Sequence, residues 1–497
     1  MLRRETAGYT SLPLLAFAVG FCVYLSAALV RHAWLQSSAW DLGIFDQAVE
    51  LIGRGWPADS SLLGFHILGD HGAVVLYPLG WLSQLIPSPF LLLLLQSAAL
   101  AGAVFPLAAL GRMRGLKQAA IVSSMAVLLL YPVVFNTAIF DFHPEVLAFP
   151  LVMQCILLLE RRAPGDDARV ALLLLLVLTC KVSLVFLVLG VAIAVVVRRR
   201  WLLGSVLALQ ASLWFACIGG WLMPAFGGPR ASLWRQASKF GLSGGSDLGA
   251  AGSGGAGGVL ATMVRQLVST ANLEYLVLLL VPVLYLLLHQ RRLAFLERLL
   301  PAAPLVLMNL AAAISPMKDL VHHYSLMLVP FLAGGVQATL APGASGVNAY
   351  PQWFRDRAPT LVLIWAVLAF VVLSRLTFFF GPFQDRLDAL PAVKTVAPLV
   401  ASDSRLLTNN HLAPHFSHRQ SIEVAGSSAT PLDLGRFDQV LLDERRPGWN
   451  ASPELVRELR ARLAASLQWQ LRFDRDGVWL FERRPSNSDR ITGSGQQ

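Results

Sequence analysis

Apolar residues in this chain come in long blocks rather than in alternations. SLPLLAFAVGFCVYLSAALV (11–30) and LVLIWAVLAFVVLSRLTFFF (361–380) set the pattern, and a block of about 20 residues is long enough to cross a bilayer as a helix. Blocks at 11–30, 89–110, 118–136, 146–160, 169–180, 183–197, 201–222, 273–289, 299–315, 321–340 and 360–380 predict about eleven spans. GAVVLYPLGWLSQLIP (72–87) is apolar but short and interrupted by proline, which predicts an interfacial or re-entrant piece. From about residue 385 the pattern changes. SRLLTNN, SIEVA and FDQVLLD read as short strands, and SPELVRELRARLAASL reads as an amphipathic helix begun by Ser452-Pro453. WQLRFDRDGVWLFERR reads as a hairpin turning at Asp476-Gly477. The expected fold is an all-α polytopic membrane bundle over 1–380, with outer loops at 31–88 and 223–272. A small extracytoplasmic α/β domain at 381–484 and a disordered tail at 485–497 follow it.

Composition agrees with the blocks: 55% of the 497 residues are hydrophobic and only 14% charged, where soluble domains carry about one quarter charged. A net charge of +10 would suggest a nucleic-acid partner in a soluble protein. Here the basic residues gather in short loops between spans, where they set orientation. Arg3-Arg4, Arg112 with Arg114 and Lys117, Arg161-Arg162, Arg198-Arg199-Arg200, Arg291-Arg292 with Arg298, and Arg355 with Arg357 mark the cytoplasmic face. The N-terminus is then cytoplasmic and the C-terminal domain lies outside the plasma (inner) membrane. The first apolar stretch exceeds the 7–15 residues of a signal-peptide core, so 11–30 is read as a span. Cys22, Cys155, Cys180 and Cys217 show no CxxC spacing and imply neither zinc nor a disulfide framework. GLSGGSDLGAAGSGGAGG (241–258) is a flexible tract, either a linker or a mobile lid over an outward site.

Pinning the basic clusters inside places the remaining polar segments on the outer face: 31–71, 137–145, Lys181, 223–272 and MKDLVHHYS (317–325). Within FDFHPE (140–145), Pro144 disfavours helix at His143 and then opens the next span, with Glu145 in its first turn. An extended stretch turns Asp141, His143 and Glu145 onto one side, where three ligand-type groups can face one point. In WDLGIFDQAVE (40–50), Asp41 is either a helix cap or a general base or metal ligand, with Asp46 a weaker candidate. His66, Asp70 and His71 form one further polar group. His322, His323 and Tyr324, near Lys318 and Asp319, form another. Lys181 lies in an apolar surround and either snorkels to water or meets an anion such as a phosphate.

WDLGIFDQ, PSPFLLLLLQ (87–96), FDFHPE, HHYS (322–325), NNHLAPHFSHR (409–419) and FDQVLLD (437–443) together resemble the predicted membrane proteins of domain of unknown function 2079. The resemblance covers roughly 15–450. That family is similar to the GT-C-type glycosyltransferases, multi-span enzymes that take a sugar from a polyprenyl-phosphate donor at the outer membrane face. The resemblance implies that Asp41, in the first outer loop, is the candidate base. It implies that Asp141 and Glu145, after the third span, act at the site as metal ligands or position the donor. Lys181, His71, His322, His323 and Tyr324 become candidate substrate contacts, and Asp141, His143 and Glu145 a candidate metal set. The chain departs from the family pattern at His71-Gly72-Ala73 and at Lys181-Val182-Ser183.

The chemistry matches these residue types. An acceptor hydroxyl needs a base, and a departing phosphate needs a cation. Asp, Glu and His in oxygen-rich surroundings suit Mg²⁺ or Mn²⁺. Two other readings stay open. A transporter or flippase would carry inverted repeats and mid-membrane broken helices. A non-catalytic assembly protein would use its C-terminal domain for binding.

Overall fold

The computed structural model describes residues 2–227, 239–240, 264–284, 298–342, 351–426 and 432–485. The Gly/Ser tract at 241–258 and the tail beyond 485 lie outside these residues. The described chain is mostly helical, and four helices in it are long and apolar enough to cross a membrane. They are Ser11–Ala33, Phe90–Met113, Trp201–Gly227 and Gln352–Leu373. Leu14 and Val19 on the first, and Val371 and Val372 on the last, leave apolar side chains exposed, as a lipid-facing surface requires.

One apolar stretch among the described residues is bent where the sequence supplies a reason. Gln118–Leu129 and Pro132–Ile139 meet at a 47° bend. Pro132 cannot donate to the preceding turn and starts a new helix at its first position. Gln352–Leu373 begins earlier than the 360 expected, so that Arg355 and Arg357 lie within its first two turns. Pro359 sits inside it, and the Pro359 carbonyl accepts from Ser123 Oγ at 2.7 Å.

Two compact units are distinguishable. The first comprises Met1–Ala28, Leu68–Leu76 and Leu92–Thr377. In it Ala148–Arg161 packs on Asp166–Cys180, and Val185–Val197 packs on Trp201–Trp214. Gln118–Leu129 lies against both Val329–Leu340 and Gln352–Leu373. Gly190 comes so close to the Pro301 carbonyl that a Cβ would collide with it.

The second unit comprises Leu29–Ile67, Tyr77–Leu91 and Phe378–Gln497. Its centre is a five-stranded sheet of β1 (Leu406–Thr408), β2 (Ile422–Val424), β3 (Gln439–Asp443), β4 (Trp469–Arg475) and β5 (Val478–Arg483). The order is β2-β1-β3-β5-β4. β1 is parallel to β2 and β3, with Leu406 opposite Ile422 and Gln439. β5 runs antiparallel to β3 and β4. Asp476 and Gly477, at φ 55° and 87°, make the tight β4–β5 turn, a conformation that suits Asp-Gly. Ser452 caps the helix Pro453–Ala465 by accepting from the Leu455 amide at 3.2 Å. Val456, Leu459 and Leu463, at helical spacing, join Leu407, Val440 and Trp479 in one core.

The first-loop segment belongs to this second unit and is stitched to the strand region by hydrogen bonds. Asn410 Oδ1 accepts from the Ala39 amide at 3.0 Å, and Gln47 Nε2 donates to the Arg419 carbonyl at 3.0 Å. Ser61 Oγ bridges both backbone groups of Ile422 at 2.8 Å.

Candidate functional site

In the first unit, the segment after Pro132–Ile139 leaves the helix at Phe140 and runs extended through His143, at φ −135° and ψ 131°. Pro144 then starts a short 3₁₀ turn, Pro144–Leu147, that leads into Ala148–Arg161. Glu145 is therefore in the helical turn rather than the extended strand. Gln96 holds this geometry. Fully buried, it donates to the carbonyls of Thr137 at 3.1 Å and Phe140 at 3.3 Å, and accepts from the His143 amide at 3.3 Å. A single amide ending the apolar run FLLLLLQ is the only sequence signal of this role.

Lys181 caps the C-terminus of Asp166–Cys180 in an extended conformation and is buried. Its Nζ lies 2.5 Å from Glu145 Oε1 and 3.3 Å from His323 Nε2, and 5.3 Å from the centre of the Tyr324 ring. His323 Nε2 is also 3.0 Å from Glu145 Oε1, and its ring stacks on His143 at 3.8 Å. Burial alone would favour the neutral acid at Glu145. Lys181, with His323 and His143, outweighs it and holds the carboxyl well below its usual range. Burial likewise opposes the charge on Lys181, but Glu145, with Tyr324 and Asp70, raises its pKa. The result is a buried cation and a buried carboxylate that both stay charged. Glu145 Oε2 and His323 Nδ1 have no hydrogen-bond partner here.

The other expected residues take different places. His71 pairs with Asp70, and the following Gly72 adopts φ +62° where a Cβ would meet Ile218 at 2.5 Å. His322 is 2.7 Å from Asp319 and stands edge-on to Phe140. Asp141 is buried, and its backbone carbonyl is 2.9 Å from His143 Nδ1. Glu145 is engaged by Lys181 and His323, and the His143 ring stacks on that same His323. Among the described residues no three His, Cys, Asp or Glu side chains are grouped to hold a metal ion.

Asp41 belongs to the second unit, in the turn Ala39–Gly43. The cap of that turn is Ser38, which accepts from the Trp40 amide at 3.2 Å. Asp46, next along, is fully buried. It accepts from Ser88 Oγ and Ser417 Oγ, and lies 3.2 Å from His418 Nε2. WDLGIFDQ and NNHLAPHFSHR thus meet through Asp46, Ser417 and His418, a pairing visible only once the chain is folded.

Apolar helices with exposed hydrophobic faces, broken by short polar turns that carry buried charges, define a polytopic membrane protein. The chain belongs to DUF2079, a family of predicted membrane proteins whose profile matches residues 31–480. Among solved structures its fold is similar to that of ArnT from Cupriavidus metallidurans in the apo state. The TM-score is 0.55 at 13% identity, over 97% of this chain and 100% of that chain. At that identity the likeness is one of fold. No curated protein matches the chain.

Proposed function

We propose that this chain is an integral membrane glycosyltransferase that moves a sugar from a polyprenyl-phosphate donor to an acceptor at the outer membrane face. In this reading it crosses the plasma (inner) membrane about eleven times, with the N-terminus cytoplasmic and the strand domain outside. The fold shared with ArnT, a GT-C glycosyltransferase, supports the class. The observation that carries the reading within this chain is the buried Lys181, paired with Glu145 at 2.5 Å and ringed by His323 and Tyr324. Ionisable groups in such surroundings are costly enough to mark function.

The proposed roles follow from charge. As the bond from the anomeric carbon to the donor phosphate oxygen breaks, negative charge grows on that oxygen. The ammonium of Lys181 offsets it, and Glu145 is the counter-ion that keeps Lys181 charged and in place. A carboxylate, for which the family resemblance puts forward Asp41, takes the proton of the acceptor hydroxyl as the new carbon–oxygen bond forms. The cation role falls to Lys181.

The test is release of polyprenyl phosphate from a labelled polyprenyl-phosphate sugar by the purified protein in lipid nanodiscs. Lys181→Met and Asp41→Asn are each expected to lower turnover by about 100-fold or more, with folding retained. Unchanged turnover in both variants rejects the roles. Movement of the intact donor across a vesicle membrane, without bond cleavage, points to a flippase instead.

A further inference from the structure

Two helices that leave the Lys181 cluster end together at a second polar site. Ala148–Arg161 starts just after Glu145 and ends at Glu160 and Arg162, and Val185–Val197 starts after Lys181 and ends at Arg198. At these far ends lies a cavity of about 430 Å³ lined by Arg114, Glu160, Arg162, Arg198 and Arg298, with Phe331 among its apolar walls. Arg114 is spent. Its guanidinium grips Glu160 through two bonds of 2.7 and 2.5 Å and donates to the Gly334 carbonyl at 2.6 Å. Arg298 reaches the same carboxylate at 3.5 Å. Glu160 is the only carboxylate among the described lining residues, so one negative charge faces four guanidiniums. The neighbouring acids are engaged elsewhere, Asp166 by Arg161 and Arg169, and Asp167 by Arg200.

Arginines at helix C-termini offset the helix dipole, which accounts for one cation at each end. It does not account for a shared cavity, nor for Arg162 closing its helix at φ 56°, a left-handed conformation uncommon outside glycine and asparagine. Arg198 also lines a second cavity, of about 690 Å³, whose other lining residues are apolar and include Val197, Leu276, Leu280, Leu300 and Leu307. A charged pocket and an oily groove joined at one arginine have the layout of a phospholipid: phosphate at one end, acyl chains at the other.

We propose that the arginine cavity binds the phosphate of an anionic membrane phospholipid, with its acyl chains in the groove between Val185–Val197, Thr270–Leu280 and Ala303–Ala311. Basic pockets between spans on the cytoplasmic side suit such headgroups. Arg162, Arg198 and Arg298 supply the charge, and Arg114 with Glu160 forms the rigid back wall. This site is separate from the one proposed for sugar transfer, and its test reads binding alone.

The experiment is native mass spectrometry of the full chain released from membranes containing phosphatidylglycerol or only phosphatidylcholine, with inorganic pyrophosphate as a soluble arm. The wild type is expected to retain phosphatidylglycerol in preference to phosphatidylcholine. Replacing Arg162 and Arg198 by Gln is expected to weaken retention about fivefold for each arginine lost, while unfolding in phosphatidylcholine is unchanged. Leu307→Glu, in the groove, is expected to weaken phosphatidylglycerol retention and leave pyrophosphate binding alone. Equal retention of both lipids, or retention indifferent to the arginine pair, overturns the proposal. Tight pyrophosphate binding with no effect of Leu307→Glu overturns the lipid assignment in favour of a soluble phosphate compound.

Discussion

Lys181 and Glu145 illustrate how a buried pair differs from its halves. Removing one charge leaves the other without compensation in a low-dielectric site, which costs about 3–5 kcal/mol, whereas replacing both by apolar groups of similar size is often close to neutral. Lys181→Met alone is therefore expected to lower the unfolding free energy by about that amount, and Lys181→Met with Glu145→Leu by much less. Both remain inactive if the lysine serves the leaving phosphate. Denaturant titration beside the turnover assay separates structural from chemical need. His418 carries a second prediction. Burial lowers its proton affinity, but the bond to Asp46, with Glu50 3.9 Å away, outweighs burial and the opposing Arg54, so its pKa is raised. A raised histidine stabilises the fold fully below its unfolded value and loses that contribution as pH climbs through the folded one. From about pH 6 to 8 the wild type should lose stability relative to His418→Gln. A pH-independent difference between the two would contradict it.

At the scale of elements, what could be read in advance was local. Pro144 announced an extended approach followed by a helical start, and the extended His143 and the turn Pro144–Leu147 are there. Ser452-Pro453 and Asp476-Gly477 carry their own geometry in the same way. What could not be read was contact between remote segments. Lys181, Glu145 and His323 come together from three separate turns, and no periodicity encodes which turns adjoin. Pro144 divides the motif, so His143 lies on the extended approach and Glu145 in the helical turn that follows. Gln96 was hidden for another reason, since one amide in an apolar run differs from its neighbours only in what it bonds. Gln96→Leu would leave the Phe140 carbonyl and the His143 amide without this partner, at about 1–3 kcal/mol for each group left unsatisfied. A melting temperature indistinguishable from wild type would show that the clamp is dispensable.

For the whole molecule, the two helices joining the polar ends are short. Counted with the 3₁₀ turns that start them, 144–161 and Val182–Val197 are about 27 and 24 Å long at 1.5 Å per residue. A hydrocarbon layer is about 30 Å thick. Short spans are accommodated by local thinning of the bilayer or by recessing their ends beneath its surface. The protein should therefore unfold at higher temperature in short-chain than in long-chain phosphatidylcholine, and the reverse order would refute this. If the mismatch holds, both charged clusters lie within a dimple of compressed lipid. Membrane thickness then becomes a control on the protein: a thicker, sterol-like or saturated environment would squeeze the helices and tax the two ends at once, with no ligand involved.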